Sequence, residues 1–580
     1  MLPLPPARIL TLATLLGVTL AATSPVRAAA PPSFAERVDV RLVNLEVFVT
    51  DAAGRAVEDL KPEDFRVFDD GRPVTLQSFA WIEGSKGGGG GAARPGADER
   101  GAGEAPVRVV VVLDEEHTRA PDRTALFRKL GETLGGRLPR GSQVTIWRYD
   151  GAMKVLLPFT GDRRELLAAL DRAAATISST QVNLDEDRLA TLNALHDDAV
   201  NGPCLYGEGI ARAYSEEKRD EVERTLRALD RLVATLEGLP GRKLVLYVSD
   251  GIPMRPGEEA WDTFLELCGG GLAASGRKEA KDVSAMSLDE QAMRPAPAAL
   301  RLESLTFDTS KQWDSLAARA SGQGVSLYTL VTAGPAAFDT SIQLDDVVGP
   351  SALVLAGAEK NRLDAMYFLA AETGGRVMYN GAGLDKALAG ITEDLGFYLL
   401  GYPAPAPGDR RIRRLRVEVA RPGARVRHRR SYALASDDQR ASDKLLTRLY
   451  HGVGDNPLGL TLAAGPPGPK DPPGSARLQL TVPLRGLTLL PEAAAAPPLL
   501  HGMISVFVVA RDAAGSVTPV RRRLLPLQLS TTDVEAGRQR TFRYEVEMPL
   551  GRGRNDVAVA VRDEVTGELS FAGESVSLQR

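Results

Sequence analysis

Acidic residues follow two strongly apolar runs of this 580-residue chain, at the point where each run ends. The first run, residues 109–113, is all Val and Leu and leads into Asp114, Glu115, Glu116, His117 and Thr118. The second, residues 244–248, leads into Ser249 and Asp250. An apolar run without polar alternation is typical of a strand buried on both faces of a parallel sheet. Because ligands bind at the carboxyl ends of such strands, this pattern predicts a cation site.

The elements around these runs predict an α/β domain. From residue 106 to residue 402, short apolar strands alternate with helical patterns, which indicates βα units and a mainly parallel, doubly wound sheet. A turn at Asp150 and Gly151 adds one antiparallel strand, and a strand at residues 397–402 is the last of the series. Two insertions, residues 178–209 and 253–308, show little regular pattern.

Two β units flank this domain. Residues 36–83 alternate like the strands of an incomplete sandwich, and a glycine-rich linker at 84–105 follows. After the α/β domain come a basic hairpin at 403–435, a Pro/Gly-rich linker at 436–476 and an antiparallel sandwich at 477–580. The strand and turn at 47–54 resemble those at 508–515, so the two β units are expected to be of similar type.

Composition and the N-terminus bear on location. The formal net charge is -4 with 25% charged residues, which gives the whole chain no electrostatic attraction to nucleic acid, and no transmembrane span is expected after the N-terminal segment. Residues 1–30 have the pattern of a secretory signal, an uncleaved anchor being the alternative, so the protein is expected in the periplasm or outside the cell. In an exported chain, Cys204 and Cys268 are expected to form a disulfide, with two free thiols as the alternative.

The basic hairpin has two interpretations. It carries many arginines, among them Arg414, Arg416, Arg425, Arg427 and Arg429. One interpretation is a solvated strand face whose arginines pair with acidic parts of the chain. The other is an anionic-ligand patch for polyanions or a cell surface.

The central motifs resemble the von Willebrand factor A (VWA) family, in particular its exported bacterial members. The resemblance covers roughly residues 36–435. It rests on the strand ending in Asp114, the stretch 241–251, the stretch 371–376 followed by 397–402, the hairpin end at 429–432, and the stretches 60–65 and 69–71 of the front β unit. It implies an adhesion-type site for a divalent cation, Mg²⁺, Mn²⁺ or Ca²⁺, which a partner's carboxylate would complete.

Carried over to this chain, the metal ligands would be Asp114, Glu116, Thr118, Thr180 and Asp250. Glu116 departs from the serine of the family pattern, which makes the site degenerate. The resemblance implies a non-catalytic exported binding protein whose sheet edge recognises a protein or surface ligand. The alternatives are a structural scaffold of an envelope assembly with an inert site and, more remotely, a metal-dependent hydrolase. No nucleophile or metalloprotease motif is present, so no enzyme is expected.

Overall fold

The computed structural model describes residues 42–82, 107–118, 123–175, 180–200, 204, 206–268, 296–332, 351–380, 388–391, 394, 396–405, 411–465, 474–492, 499–530 and 541–578. The predicted signal segment, the linker 84–105 and most of a helix expected at 384–395 lie outside these residues. No helix in the described part of the chain is both long and apolar enough to cross a membrane.

The described part of the chain begins with four strands: β1 (Leu42–Thr50), β2 (Phe65–Asp69), β3 (Arg72–Val74) and β4 (Ser78–Ile82). The α/β region follows, with β5 (Arg108–Asp114), α1 (Arg123–Arg137), β6 (Gln143–Tyr149), β7 (Met153–Thr160), α2 (Arg163–Ala175), α3 (Thr180–Val200), α4 (Gly207–Ala234), β8 (Lys243–Val248), α5 (Glu258–Cys268), α6 (Pro297–Ser304), α7 (Ser310–Gly322), β9 (Val325–Val331), α8 (Ala352–Thr373) and β10 (Val377–Tyr379).

The remaining elements are β11 (Phe397–Pro403), β12 (Arg413–Val419), β13 (Arg425–His428), β14 (Ser431–Tyr432), α9 (Asp437–His451), β15 (Thr461–Gly465), β16 (Ser475–Pro483), β17 (Leu490–Glu492), β18 (Leu499–Asp512), β19 (Arg521–Ser530), β20 (Thr541–Pro549), β21 (Gly553–Asp563) and β22 (Leu569–Leu578).

The central sheet has the strand order β10-β9-β8-β5-β6-β7, and every strand is parallel to its neighbours except β7, which is antiparallel to β6. The order is that of a doubly wound sheet, whose crossovers reverse direction between β5 and β8. Val109 and Val111 lie in one apolar core with α1 and α2, whereas Val110 and Val112 lie in a second core with α4, α7 and α8. Burial on both faces explains the unbroken apolar run and confirms the mainly parallel α/β sheet.

The N-terminal strands do not form a separate unit. Strand β1 pairs with β11 and β13, and β2 pairs with β12, so that two four-stranded sheets, β13-β1-β11-β4 and β14-β12-β2-β3, enclose one core. The assignment of residues 397–402 to the α/β sheet is therefore wrong, as is the treatment of 403–435 as an extension. Alternation shows that a segment is a strand but not which sheet it joins, and here tertiary pairing across some 350 residues decides.

The segment 436–476, expected to be a linker, contains α9 and β15. Ser436 caps α9, its hydroxyl accepting from the Gln439 N–H at 3.3 Å, and Gly452 ends the helix at φ 69°. Asp437 and Asp438 lie in the first turn, where their negative charges interact favourably with the helix dipole. The insertions expected to lack regular pattern likewise contain α3, α5 and α6.

The C-terminal sandwich consists of the sheet β15-β16-β20 facing the sheet β17-β18-β21-β22, with β19 on the free side of β18. Helix α9 packs between it and α4. The resemblance between residues 47–54 and 508–515 is confirmed in the turns: Gly54 N–H donates to Asp51 O at 3.0 Å, and Gly515 N–H donates to Asp512 O at 3.1 Å. Both glycines have positive φ, which that turn requires.

Candidate functional site

The predicted residues meet at the carboxyl edge of the central sheet, defined as residues 114–118 and 249–250. Asp114 is the last residue of β5, and Ser249 and Asp250 follow β8, its parallel neighbour. The Asp250 N–H donates to the His117 carbonyl at 2.9 Å and joins the two segments. This edge is where the crossovers reverse, the usual position of a binding crevice.

The carboxylate of Asp114 is enclosed by protein donors. Oδ1 accepts from the His117 backbone N–H at 3.0 Å, and Oδ2 accepts from the hydroxyls of Ser249, at 3.0 Å, and Tyr247. The ring atom Nδ1 of His117 lies 2.9 Å from Oδ2. Asp114 is 1% exposed. Its hydrogen bonds are typical of a buried carboxylate that is satisfied within the protein.

His117 lies between two carboxylates. Its Nε2 is 3.1 Å from Oε1 of Glu221 on α4, and Lys218 Nζ donates to Oε2 of Glu221 at 3.1 Å. Burial alone would lower the pKa of His117, but the carboxylates of Asp114 and Glu221 raise it to about 10. Burial would raise the pKa of Glu221, yet hydrogen bonds from His117 and Lys218 hold it below its usual value. The chain thus supplies its own positive charges to this acidic edge.

Of the other predicted ligands, the structure places the side chains of Glu116, Thr118 and Asp250 but not that of Thr180. Burial raises the pKa of Glu116, and Asp250 Oδ1 accepts from the Thr332 hydroxyl. The Thr118 hydroxyl is buried without a hydrogen-bond partner among the described residues. Thr180 begins α3, but its side chain lies outside the described residues.

This arrangement does not fit a divalent cation. A cation at Asp114 would have to displace His117, Tyr247 or Ser249 from the carboxylate, and it would lie beside an imidazolium. In the described part of the chain no group of three or more His, Cys, Asp and Glu residues is arranged to hold a metal. Outside this network, Glu116 supplies one carboxylate and Thr118 one neutral hydroxyl, whereas Mg²⁺ and Ca²⁺ require several oxygen ligands.

Sequence reasoning missed four residues that surround the carboxyl edge: Tyr247, Lys218, Glu221 and Thr332. Tyr247 lies in the apolar run of β8, where an aliphatic side chain would suffice for packing. A hydroxyl in this run was the available sequence signal for a hydrogen bond to the edge. Lys218 and Glu221 lie on a helix expected at residues 215–237 and observed as α4. Nothing local shows that this helix crosses the sheet edge, because the contact joins residues 104 positions apart.

Helices cover the carboxyl edge on the α4 side. The first half of α4 packs with α3, α5 and α6 around an apolar core that includes Tyr214, Trp261 and Phe264. Cys204 and Cys268 form a disulfide within this core, with 6.0 Å between their Cα atoms. Asp114, Glu115, Glu116, His117 and Asp250 are all buried. The acids of the edge are therefore not an open surface.

Most arginines of the hairpin contact the chain itself. Arg414 pairs with Asp314 at 2.8 Å and with Glu372 at 2.9 Å. Arg416 pairs with Glu418 and lies 4.0 Å over the Phe68 ring. These contacts favour the interpretation of an internally paired strand face over that of an anionic-ligand patch.

Two further arginines of the hairpin lie at the carboxyl ends of helices and bind carbonyl groups there. Arg427 donates to the Gly374 carbonyl after α8, and Arg429 donates to the Ser321 carbonyl of α7 at 2.5 Å. Positive groups at helix carboxyl ends are favourable for the dipole. Arg425 remains exposed.

Asp394 joins the N-terminal sandwich to the α/β domain. It accepts from Tyr328 of β9 at 2.7 Å and from Arg376 at 2.6 Å, and it lies 2.5 Å from Nη2 of Arg427 on β13. Burial would raise its pKa, but Arg427 and Arg376 hold it below the usual range.

Comparison with known proteins gives similarity at the level of structure alone. No protein-family model matches the chain, and no curated protein matches it. Solved structures with similarity include the conserved hypothetical protein BatB of Bacteroides thetaiotaomicron, at 11% identity over 50% of this chain and 97% of that one, with a TM-score of 0.22. An aerotolerance-related membrane protein of Bacteroides fragilis matches at 10% identity over 50% and 98% of the chains, with a TM-score of 0.23.

A third similar structure is the vWF domain of the type V pili tip protein Mfa5 of Porphyromonas gingivalis, at 12% identity over 50% of this chain and 94% of that one, with a TM-score of 0.22. These TM-scores are too low to carry a conclusion about family or function.

Proposed function

We propose that the chain is an exported, non-catalytic interaction scaffold built around a VWA-type domain whose carboxyl edge is inert. The supporting observation is the complete enclosure of Asp114 by Tyr247, Ser249 and His117. The doubly wound strand order and the position of Asp114 at the end of β5 support the VWA assignment. The disulfide between Cys204 and Cys268 supports an oxidising location outside the cytoplasm.

The enclosure of Asp114 favours a scaffold over a ligand-binding edge. An adhesion-type site would present its acids, through a cation, to a partner's carboxylate. In this chain Asp114, His117 and Asp250 are 1%, 7% and 2% exposed, and α4 lies against His117. Partner contacts would then fall on the exposed faces of the two sandwiches.

Catalysis at this edge is disfavoured by its hydrogen bonds. A general base needs a ring nitrogen or carboxylate that can take a proton from substrate. Both ring nitrogens of His117 face carboxylates, and the Ser249 hydroxyl donates to an Asp114 oxygen that His117 and Tyr247 already contact. We therefore propose no enzymatic activity.

The experiment is retention of the purified full chain on an envelope fraction of the source organism, with and without EDTA. Two variants remove predicted ligands with little change of volume or buried charge pairing, Thr118→Ala and Asp250→Asn. We expect retention to survive EDTA and both substitutions, and to weaken when Arg521→Glu and Arg523→Glu reverse charge on the C-terminal sandwich. Loss of retention in EDTA, or in a Thr118→Ala or Asp250→Asn protein that melts like wild type, would contradict the proposal.

A further inference from the structure

Strand β20 is an edge strand of the C-terminal sandwich. On one side it pairs with β16 in an unbroken antiparallel register from Ser475↔Pro549 to Pro483↔Thr541. On its other side no described strand pairs with it. A long, regular edge leaves a row of backbone N–H and C=O groups that can pair with another chain.

This edge lacks the features that protect edges in other proteins. The edge strand β19, in the facing sheet, carries three consecutive arginines, residues 521–523, and Pro526 within it. A like-charged run and a proline both discourage strand addition. Strand β20 has no proline before its last residue, Pro549, no register shift, and charges of both signs.

The inner layer of the sandwich is incomplete beside β20. Phe542, Tyr544 and Val546 point inward but are only half-buried. Their partners on β16 are fully buried: Val482, Leu480 and Leu478. A groove of about 600 Å³ runs alongside, and its lining contains both apolar residues and charged ones: Val506, Val508, Tyr544, Val546, Arg521, Arg522, Arg523, Glu545 and Glu547. Apolar side chains from an added strand could cover this layer.

The sequence of β20 is complementary to itself. If two copies pair antiparallel about Tyr544, Arg543 of each lies opposite Glu545 of the other on the outer face. On the inner face Phe542 lies opposite Val546 and Tyr544 opposite its own equivalent. Opposite charges and aromatic or β-branched residues are the favourable cross-strand pairs. The two-fold axis gives the Arg543–Glu545 and Phe542–Val546 pairs twice and the Tyr544–Tyr544 pair once.

We propose that the partner of the β20 edge is a second copy of this chain, paired antiparallel about Tyr544. The two three-stranded sheets then form one six-stranded sheet in the order β15-β16-β20, followed by β20-β16-β15 of the second copy. The inference rests on the proposed function, since it names a partner for a scaffold whose contacts lie on its sandwiches. Within one chain Glu545 has two exposed contacts in the described residues, an ion pair with Arg477 at 3.6 Å and a hydrogen bond from the Gln479 amide at 3.5 Å, and such exposed contacts compete weakly with a cross-strand pair.

The test is sedimentation equilibrium of the full chain and of charge-swap variants. Wild type should show a concentration-dependent monomer–dimer equilibrium. Arg543→Glu and Glu545→Arg should each weaken the dimer at least tenfold, because each places two like-charged pairs in the interface. The double variant restores both pairs, so its dissociation constant should return towards that of wild type. Arg425→Glu, which reverses an exposed charge on β13 of the N-terminal sandwich, is the control and should leave dimerisation unchanged.

Cross-linking tests the register independently. In Tyr544→Cys the two thiols lie directly opposite and should form an intermolecular disulfide under mild oxidation, whereas Glu547→Cys lies opposite Thr541 and should not. A wild-type chain that is monomeric at all concentrations overturns the proposal, and so do single variants that dimerise like wild type or a double variant that does not recover. Envelope retention that is independent of the carboxyl edge in such a monomer would leave the proposed function standing.

Discussion

The Nδ1 atom of His117 lies 2.9 Å from Oδ2 of Asp114, and the opposite ring nitrogen, Nε2, lies 3.1 Å from Oε1 of Glu221. A neutral imidazole has one N–H, so it cannot donate to two carboxylates at once. The geometry therefore describes an imidazolium held between two acids, in the position where a cation would otherwise offset the charge of the sheet edge.

Replacing this imidazole should destabilise the fold strongly. His117→Gln leaves the buried carboxylates of Asp114 and Glu221 without their shared positive partner, and loss of one member of a buried ion pair costs about 3–5 kcal/mol. Chemical denaturation monitored by circular dichroism measures the change.

A double-mutant cycle is the control for His117→Gln. The pair His117→Gln with Glu221→Gln should lose less stability than the two single losses added together, because the second substitution removes one uncompensated charge. Strict additivity would contradict the account of His117 as a shared partner.

Stability should fall on mild acidification because of His451. Burial among aromatic rings lowers the pKa of His451 to about 4, from 6.5 in the unfolded chain, and nearby Arg511 acts in the same direction. The unfolded chain therefore binds the proton first. Neutral His451 therefore contributes fully to the free energy of unfolding above pH 6.5. This contribution, at most about 3 kcal/mol, is lost as the pH falls towards 4.

The measurement is the free energy of unfolding of wild type and His451→Phe between pH 7.5 and pH 4.5. The difference between the two proteins should change across the lower half of this window and stay constant above pH 7. A difference that is constant throughout would show that His451 does not titrate in this way.

Breaking the disulfide should loosen the helices that cover the carboxyl edge. Cys204 and Cys268 are 64 positions apart, and closing a loop of that length in the unfolded chain is worth about 4 kcal/mol in the chain-entropy model. The double variant, Cys204→Ser with Cys268→Ser, should have a lower melting temperature than wild type. Reductant should lower the melting temperature of wild type but not that of the double variant. If reductant also lowers the melting temperature of the double variant, the effect does not come from this disulfide.

Asp394 should be required for the sandwich and the α/β domain to stay joined. In Asp394→Asn the guanidinium groups of Arg376 and Arg427 lose a common buried carboxylate, which should cost about 3–5 kcal/mol. Limited proteolysis should then cleave between residues 380 and 411 sooner than in wild type. Asp59→Asn is the matched control, because its pair with Arg421 is exposed and screened by solvent, so its loss should leave the cleavage rate unchanged. Equal cleavage rates in wild type and Asp394→Asn would contradict this role.

The α/β core could be predicted from sequence because its signal is local. The unbroken apolar runs of β5 and β8, the turn before β7 and the helical spacing in α4 each belong to a few consecutive residues. The sandwich closure could not be predicted in this way, since β1 meets β11 only through the fold of the intervening domain. Ser436 and Gly452 are sequence signals for the two ends of α9. The Pro/Gly-rich residues after the helix instead favour the prediction that the whole segment is a linker.

The candidate site shows the same division. That Asp114 and Asp250 lie at one sheet edge follows from strand parity and parallel pairing. The positive charge at this edge is the His117 imidazolium, which contacts Glu221 on a helix about a hundred residues further along the chain. The Tyr247 hydroxyl also donates to Asp114. Neither contact is visible in a local sequence pattern. Motif spacing alone therefore predicts a metal site where the contacts favour a structural network.

Calorimetric titration of the full chain with Mg²⁺, Mn²⁺ and Ca²⁺, beside Asp114→Asn, tests the inert carboxyl edge most directly. The network of Asp114, His117 and Glu221 predicts no saturable heat with any of the three ions, in either protein. Saturable binding in wild type that disappears in Asp114→Asn would contradict it and would make this edge a cation-dependent binding site.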